Sequence, residues 1–275
     1  MIGAFVIAFR EVIEAGLIIG IVLAATRGIA GRGRWIGLGV VGGLAGACLV
    51  ALFAEAISDA FEGAGQDILN AAVLATAVLM LIWHNTWMSR HGRELAGELK
   101  AAGESVRRGE TTSAALAFVV GAAILREGAE LVLFLYGLVA SGTSGPDLQI
   151  GALAGVGAGI LISAVSYFGL AAIPTRYVFS VTSALIIFLA AGLAAQAAQF
   201  LTNAGLITVL DRPLWNTANI LSEGSMVGRV LHALVGYTDR PTGLQVIVYL
   251  GTILVMVALM QWSSADKRRR TLRTA

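Results

Sequence analysis

Apolar residues run along the chain in long blocks rather than recurring at the spacing of a surface helix. Seven such blocks, near residues 2–26, 35–58, 68–88, 113–140, 149–173, 178–202 and 243–263, each supply the ~20 mostly apolar residues that a helix needs to cross a ~30 Å hydrocarbon layer. A backbone in lipid must satisfy its own hydrogen bonds, so blocks of this length predict helices. The expected fold class is an all-α polytopic membrane protein with seven transmembrane helices. The first block does not read as a cleavable leader, because no basic region precedes it and Arg10, Glu11 and Glu14 interrupt it.

The polar stretches divide the chain into a three-helix unit (1–88), a linker (89–112), a second three-helix unit (113–202), an outer segment (203–242), and a seventh helix with a basic tail (243–275). In the linker, Glu94 and Glu98, and Lys100 and Glu104, are i,i+4 neighbours, which predicts a short solvated helix. The outer segment carries Trp215, His232 and Tyr237 at a periodicity that predicts short helices on the membrane surface, a platform for a docking protein.

Composition agrees with the pattern: of 275 residues 57% are apolar and 13% charged, with a mean hydropathy of +0.81, which excludes an ordinary water-soluble enzyme. A net charge of +2 points to no nucleic-acid partner. Its distribution says more. Fourteen basic residues follow the first, third, fifth and seventh blocks, against only Arg212, Arg229 and Arg240 on the opposite side. Lysine and arginine mark the cytoplasmic face, so the N-terminus is expected outside and the C-terminus inside. Lys267 to Arg270, directly after a span, read as a cytoplasmic anchor. The single cysteine, Cys48, rules out an internal disulfide or a CxxC pair.

An internal repeat follows from two motifs in one register. Arg10-Glu11-Val12-Ile13-Glu14 returns 116 residues later as Arg126-Glu127-Gly128-Ala129-Glu130, and the same offset carries Gly39 and Gly43 onto Gly155 and Gly159. The first span runs inward and the fourth outward, so blocks 1–3 and 4–6 form an inverted 3+3 repeat, an arrangement of many secondary transporters, with the seventh helix added. Gly39-x-x-x-Gly43, Gly42-x-x-x-Gly46 and Gly151-x-x-x-Gly155-x-x-x-Gly159 are small-residue faces expected to bring helices close together.

At 100° per residue Arg10, Glu11 and Glu14 project from one face of the first helix, and Arg126, Glu127 and Glu130 do the same on the fourth. Each such charge in the bilayer centre costs roughly 2.5–3.5 kcal/mol unless paired, hydrated or bound. Pairs Arg10–Glu14 and Arg126–Glu130 would neutralise two carboxylates and leave Glu11 and Glu127 without a partner. Four glutamates converging from two inverted helices make an oxygen-rich anionic site for a hard cation, with the arginines as supporting ion pairs. Neither motif contains cysteine or histidine, which argues against copper(I); magnesium, manganese, iron and protons stay open on ligand type.

Two Arg-Glu-x-x-Glu motifs in the first and fourth of seven spans resemble the high-affinity iron permease family of bacteria and fungi, the oxidase-dependent iron transporters. The usual form is Arg-Glu-Gly-x-Glu, from which the first motif departs in having Val12. The stretch from Leu214-Trp215 through Ser222-Glu223-Gly224 to Tyr237, Pro241 and Gln245 is also similar to bacterial members. The resemblance implies import of iron, ferric by the family's usual assignment, across the bacterial cytoplasmic membrane, with Glu11, Glu14, Glu127 and Glu130 as metal-binding or relay groups. It further implies a periplasmic or extracellular iron-oxidising or iron-delivering partner, no permanently bound cofactor and no enzymatic activity; a homo-oligomer is left open. Alternatives are a transporter of another divalent metal such as lead or manganese, or an anion transporter clamping its cargo with Arg10 and Arg126. On the outer side Asp59 and Glu62 are candidate cation-gathering residues, and Glu223 resembles the family's acidic outer-loop element. Gln196 and Gln199 share a face of the sixth span, where they either bond between helices or line the carboxylate site. His84, beside Trp83 and Trp87 in an aromatic belt, is expected at the cytoplasmic end of the third span rather than as an exit ligand.

Overall fold

The computed structural model describes residues 1–60, 66–168 and 175–273. Eight helices follow one another there: α1 (Ile2–Ala25), α2 (Arg32–Ala60), α3 (Gln66–Arg107), α4 (Ala114–Ala140), α5 (Gly145–Tyr167), α6 (Thr175–Asn203), α7 (Met226–Val235) and α8 (Gly243–Arg273). Five contain a segment long and apolar enough to cross a membrane: Arg32–Ala54, Gln66–Met88, Gly145–Tyr167, Ser180–Asn203 and Gly243–Trp262. α1 and α4 have the length, at 24 and 27 residues, and differ from the five in carrying three charges each at mid-helix.

The linker helix is not a separate element. α3 runs unbroken for 42 residues into the linker. No proline stops it there, and an isolated glycine lowers helix propensity by about 1 kcal/mol without ending a helix. On its solvated part Lys100 Nζ lies 3.9 Å from Glu104 Oε1, the expected i,i+4 contact. The basic tail likewise continues α8 to Arg273. The outer segment forms one helix, α7, where several were expected. Ser225 Oγ caps α7 by accepting from the Gly228 N–H at 3.0 Å, and Gly236 ends it at φ 67°, a left-handed conformation that favours glycine.

Helix pairing is set by the small-residue faces. α2 lies along α4, and α5 along α1. A Cβ on Gly39 would stand 2.6 Å from the Ala117 carbonyl oxygen, and one on Gly155 2.5 Å from that of Phe5, so only glycine permits the approach. Gly42 is the exception: it touches nothing and is exposed, leaving Gly46 against Leu125 as the packed member of its pair.

Buried apolar side chains fall into two groups. One joins Ala4 and Ile7 of α1 with Leu74 and Leu81 of α3, Phe134 of α4 and Ile186 of α6. The other joins Ile18 and Val22 of α1 with Leu99 of α3 and Leu116, Val120 and Ile124 of α4. Along α1 and α4 the charged motifs lie between these two groups. Side chains such as Leu38, Leu52, Phe53, Phe118 and Leu153 point outward, more than half exposed, as expected of a surface that lipid would cover.

Candidate metal centre

The 3.6-residue period places Arg10, Glu11 and Glu14 on the inner face of α1, where they are 2–3% exposed. From α4, Glu127 and Glu130 enter the same space at 3% and 5% exposure. The i,i+4 pairs form: Arg10 Nε sits 2.9 Å from Glu14 Oε1, and Arg126 Nε donates to Glu130 Oε1 at 3.0 Å. As the charge count requires, Glu11 and Glu127 are left over. Arg10 Nη1 lies 3.6 Å from Glu11 Oε1, too far for a hydrogen bond. No donor among the described residues makes a hydrogen bond to either oxygen of Glu11 or Glu14, to Oε2 of Glu127 or to Oε2 of Glu130, so that Glu14 is held by ion pairing alone. Orphaned, buried carboxylate oxygens of this kind are costly unless a cation or proton occupies the space between them.

The third contributor is a residue whose position the sequence misplaced. His84 is 1% exposed and lies among the glutamates, not at the cytoplasmic rim. Because α3 continues far past the apolar block, residue 84 is at the depth of the charged motifs rather than at a helix end. Its Nδ1 contacts Glu130 Oε2, and its Nε2 is 3.4 Å from Glu14 Oε2. One ligand atom from each of Glu11, His84, Glu127 and Glu130 lies within 4.8 Å of all the others. Donors around a tetrahedral cation with bonds of about 2.1 Å stand about 3.4 Å apart, so a bound cation would draw the most distant of these atoms inward. Glu14 stands outside this set, held between Arg10 and His84. Three of the four expected glutamates thus fall in this group together with His84, and Glu14 lies next to it.

The two arginines differ. Arg10 is buried at 2%, whereas Arg126 is 29% exposed and its guanidinium lies over the Trp87 ring, 4.3 Å from the centroid. Trp87, read from sequence as an interfacial anchor, is therefore also a cation–π support for Arg126.

Gln196 and Gln199 are not beside the carboxylates. Gln196 Nε2 meets His232 Nε2 of α7 at 2.8 Å, and Gln199 Nε2 donates to Asn203 Oδ1 at 2.9 Å. Both face a separate cavity of about 330 Å³ that also takes in Glu223, His232, Thr238 and Arg240. There Glu223 Oε1 is 3.2 Å from His232 Nδ1, and its Oε2 accepts from Thr238 Oγ1 at 2.8 Å. The tight turn at Gly236, whose added Cβ would stand 2.5 Å from Gly192 Cα, presses α7 onto α6 and makes this grouping possible. Glu62 lies outside the described residues, as does the side chain of Asp59.

The model of the iron permease FTR1 family matches residues 1–264, which includes both charged helices and α7. A protein named ferrous iron permease EfeU from Shigella sonnei (strain Ss046) is 30% identical over 272 residues, covering 96% of this chain and 98% of the relative. Its namesake in Escherichia coli O6:H1 (strain CFT073) is 31% identical over 275 residues with the same coverage. The Yersinia pestis one is 30% identical over 249 residues, 89% of this chain and 88% of the relative. No solved structure matches. A multi-pass helical chain with two buried carboxylate motifs, aligned almost end to end with transporters of one kind, belongs to the iron permease FTR1 family.

Proposed function

We propose that this protein imports iron across the bacterial cytoplasmic membrane through the carboxylate cluster between α1 and α4. The observation that carries the reading is the convergence of Glu11, Glu127, Glu130 and His84 on one point, sealed on both sides by apolar clusters. A site closed in both directions is what an occluded state of alternating access requires. In the sequence of events proposed, the cluster replaces the ion's water while Ile7, Leu81 and Phe134 close one side. Parting of Ile18, Val22 and Ile124 then opens the other.

The topology proposed is seven spans, α1 to α6 and α8, with the N-terminus outside and the C-terminus in the cytoplasm. Inverted halves 1–3 and 4–6 are supported by the way packing partners exchange: the 116-residue offset that maps α1 onto α4 and α2 onto α5 turns the α2–α4 contact into the α5–α1 contact. Glu223, with Asp59 and Glu62, is proposed to receive iron on the outer side from an oxidising or delivering partner.

The site's own charge favours a divalent cargo. Four glutamates and two arginines carry a formal −2, which a divalent ion cancels and a trivalent one overshoots. The relatives' name specifies ferrous iron, and we take the divalent form as the cargo in preference to the ferric form that the resemblance implied. An anion clamp is disfavoured because Arg10 and Arg126 are each already engaged by a carboxylate.

Uptake of radioactive iron by cells lacking other importers tests the reading. Glu11→Gln, Glu127→Gln and Glu130→Gln should each abolish uptake while the protein still reaches the membrane; normal uptake in all three would overturn the site. Competition by manganese or lead in the same assay separates iron from those alternatives.

A further inference from the structure

We infer that His84 is a direct ligand of the transported ion, and that its nitrogen makes the site selective for divalent transition metals over magnesium and calcium. The inference rests on the carboxylate-site reading above and goes beyond it, since neither Arg-Glu-x-x-Glu motif contains a histidine.

Three observations support it. His84 is among the most deeply buried polar residues of the chain, and its ring is the one non-carboxylate member of the four-donor group. Its two nitrogens face two different glutamates, one from each charged helix. Metal-binding histidines typically offer one ring nitrogen to the ion and donate the other N–H to a carboxylate, which fixes the tautomer and aims the lone pair. Here Glu14 stands beside the second nitrogen, its Oε2 3.4 Å from Nε2, while Nδ1 is turned toward Glu130 and the shared centre; an Nε2–H tautomer would aim the Nδ1 lone pair at the ion. Glu14 in turn is fixed by Arg10 at 2.9 Å. The chain Arg10–Glu14–His84 thus explains why Glu14 stands outside the cluster although it belongs to the motif.

The chemical consequence is a mixed nitrogen and oxygen site. Carboxylates alone suit magnesium, calcium and manganese, whereas imidazole adds affinity for iron and its first-row neighbours. In a cell where magnesium is abundant, a four-oxygen site would be occupied by the wrong ion, and one nitrogen shifts the balance.

Manganese(II), an electron-spin probe, bound to the purified full chain in lipid nanodiscs provides the test. Pulsed electron paramagnetic resonance should show a nitrogen coupling that changes frequency when histidine is labelled with nitrogen-15. That measurement needs no substitution and so does not depend on a variant folding. The coupling should disappear in His84→Gln and persist in His232→Gln, and His84→Gln should reduce the preference for ferrous iron over magnesium, read by displacement of bound manganese, by roughly tenfold or more. If manganese binds in a manner abolished by Glu127→Gln yet shows no nitrogen coupling, His84 is not a ligand and the carboxylate site stands. A coupling that survives in His84→Gln and vanishes in His232→Gln would place the ion in the outer cavity and also overturn the inference. Binding indifferent to both Glu11→Gln and Glu127→Gln would overturn the carboxylate site and the inference together.

Discussion

By sequence Arg10 and Arg126 are equivalent, yet their surroundings predict unequal consequences of neutralising them. Methionine is the appropriate replacement, since it keeps most of the volume while removing the charge. Arg10 is 2% exposed, 2.9 Å from Glu14 and 3.6 Å from Glu11, so Arg10→Met strands negative charge where water does not reach. At an effective dielectric constant near 20, a charge pair about 3 Å apart attracts by about 5 kcal/mol, and breaking a buried pair typically costs 3–5 kcal/mol net. Arg126 is 29% exposed and engages Glu130 alone, which keeps His84 as a partner. Loss of that pair and of the Trp87 contact should cost about 1–2 kcal/mol. With roughly 2–4 °C of midpoint per kcal/mol for a chain of this size, thermal unfolding in a fixed detergent should fall by about 10 °C for Arg10→Met and about 4 °C for Arg126→Met. Iron uptake measured alongside should fail in the first variant and fall in the second. Equal drops, or a larger one for Arg126→Met, would refute the claim that burial and not motif membership sets the energetics.

Two further predictions concern packing. Gly43→Ala places a Cβ 2.7 Å from both the Gly121 carbonyl oxygen and Ile124 Cβ, and should lower stability by about 1–3 kcal/mol, whereas Gly42→Ala, which meets nothing, should leave it unchanged or raise it by up to about 1 kcal/mol; detergent unfolding curves decide. Phe134, fully buried between the site and one end of the bundle, should cost about 3–5 kcal/mol as Phe134→Ala, with uptake impaired beyond the loss of folded protein; if uptake per folded molecule is normal, Phe134 is not part of the seal.

Much of the site was legible in the chain itself. A charge inside an apolar block is expensive wherever the helix packs, so the motifs at Arg10–Glu14 and Arg126–Glu130 mark a functional centre before any fold is known. Their i,i+4 pairing and the surplus of two carboxylates follow from helix period and charge count alone. The glycine faces were equally readable, because only close helix contact uses small residues at that spacing, though Gly42 shows that spacing does not reveal which faces find a partner.

His84 marks where sequence reasoning stops. Near the end of an apolar block, its depth depends on how far α3 continues and how it tilts against α1 and α4, and no local pattern encodes that. The same holds for Gln196 and Gln199, whose polar face turns to Glu223 and His232 because α7 folds back at Gly236 and not because of anything in α6. The sequence by itself determined the all-helical membrane class, the charged pairs and the surplus of two carboxylates, since these follow from local period and the cost of charge in lipid. Only the tertiary structure decided which carboxylates share a point with an imidazole, that Glu14 lies between Arg10 and His84, and that Arg10 is sealed while Arg126 is partly open. Those are properties of distances between helices, which the packing of the whole bundle fixes.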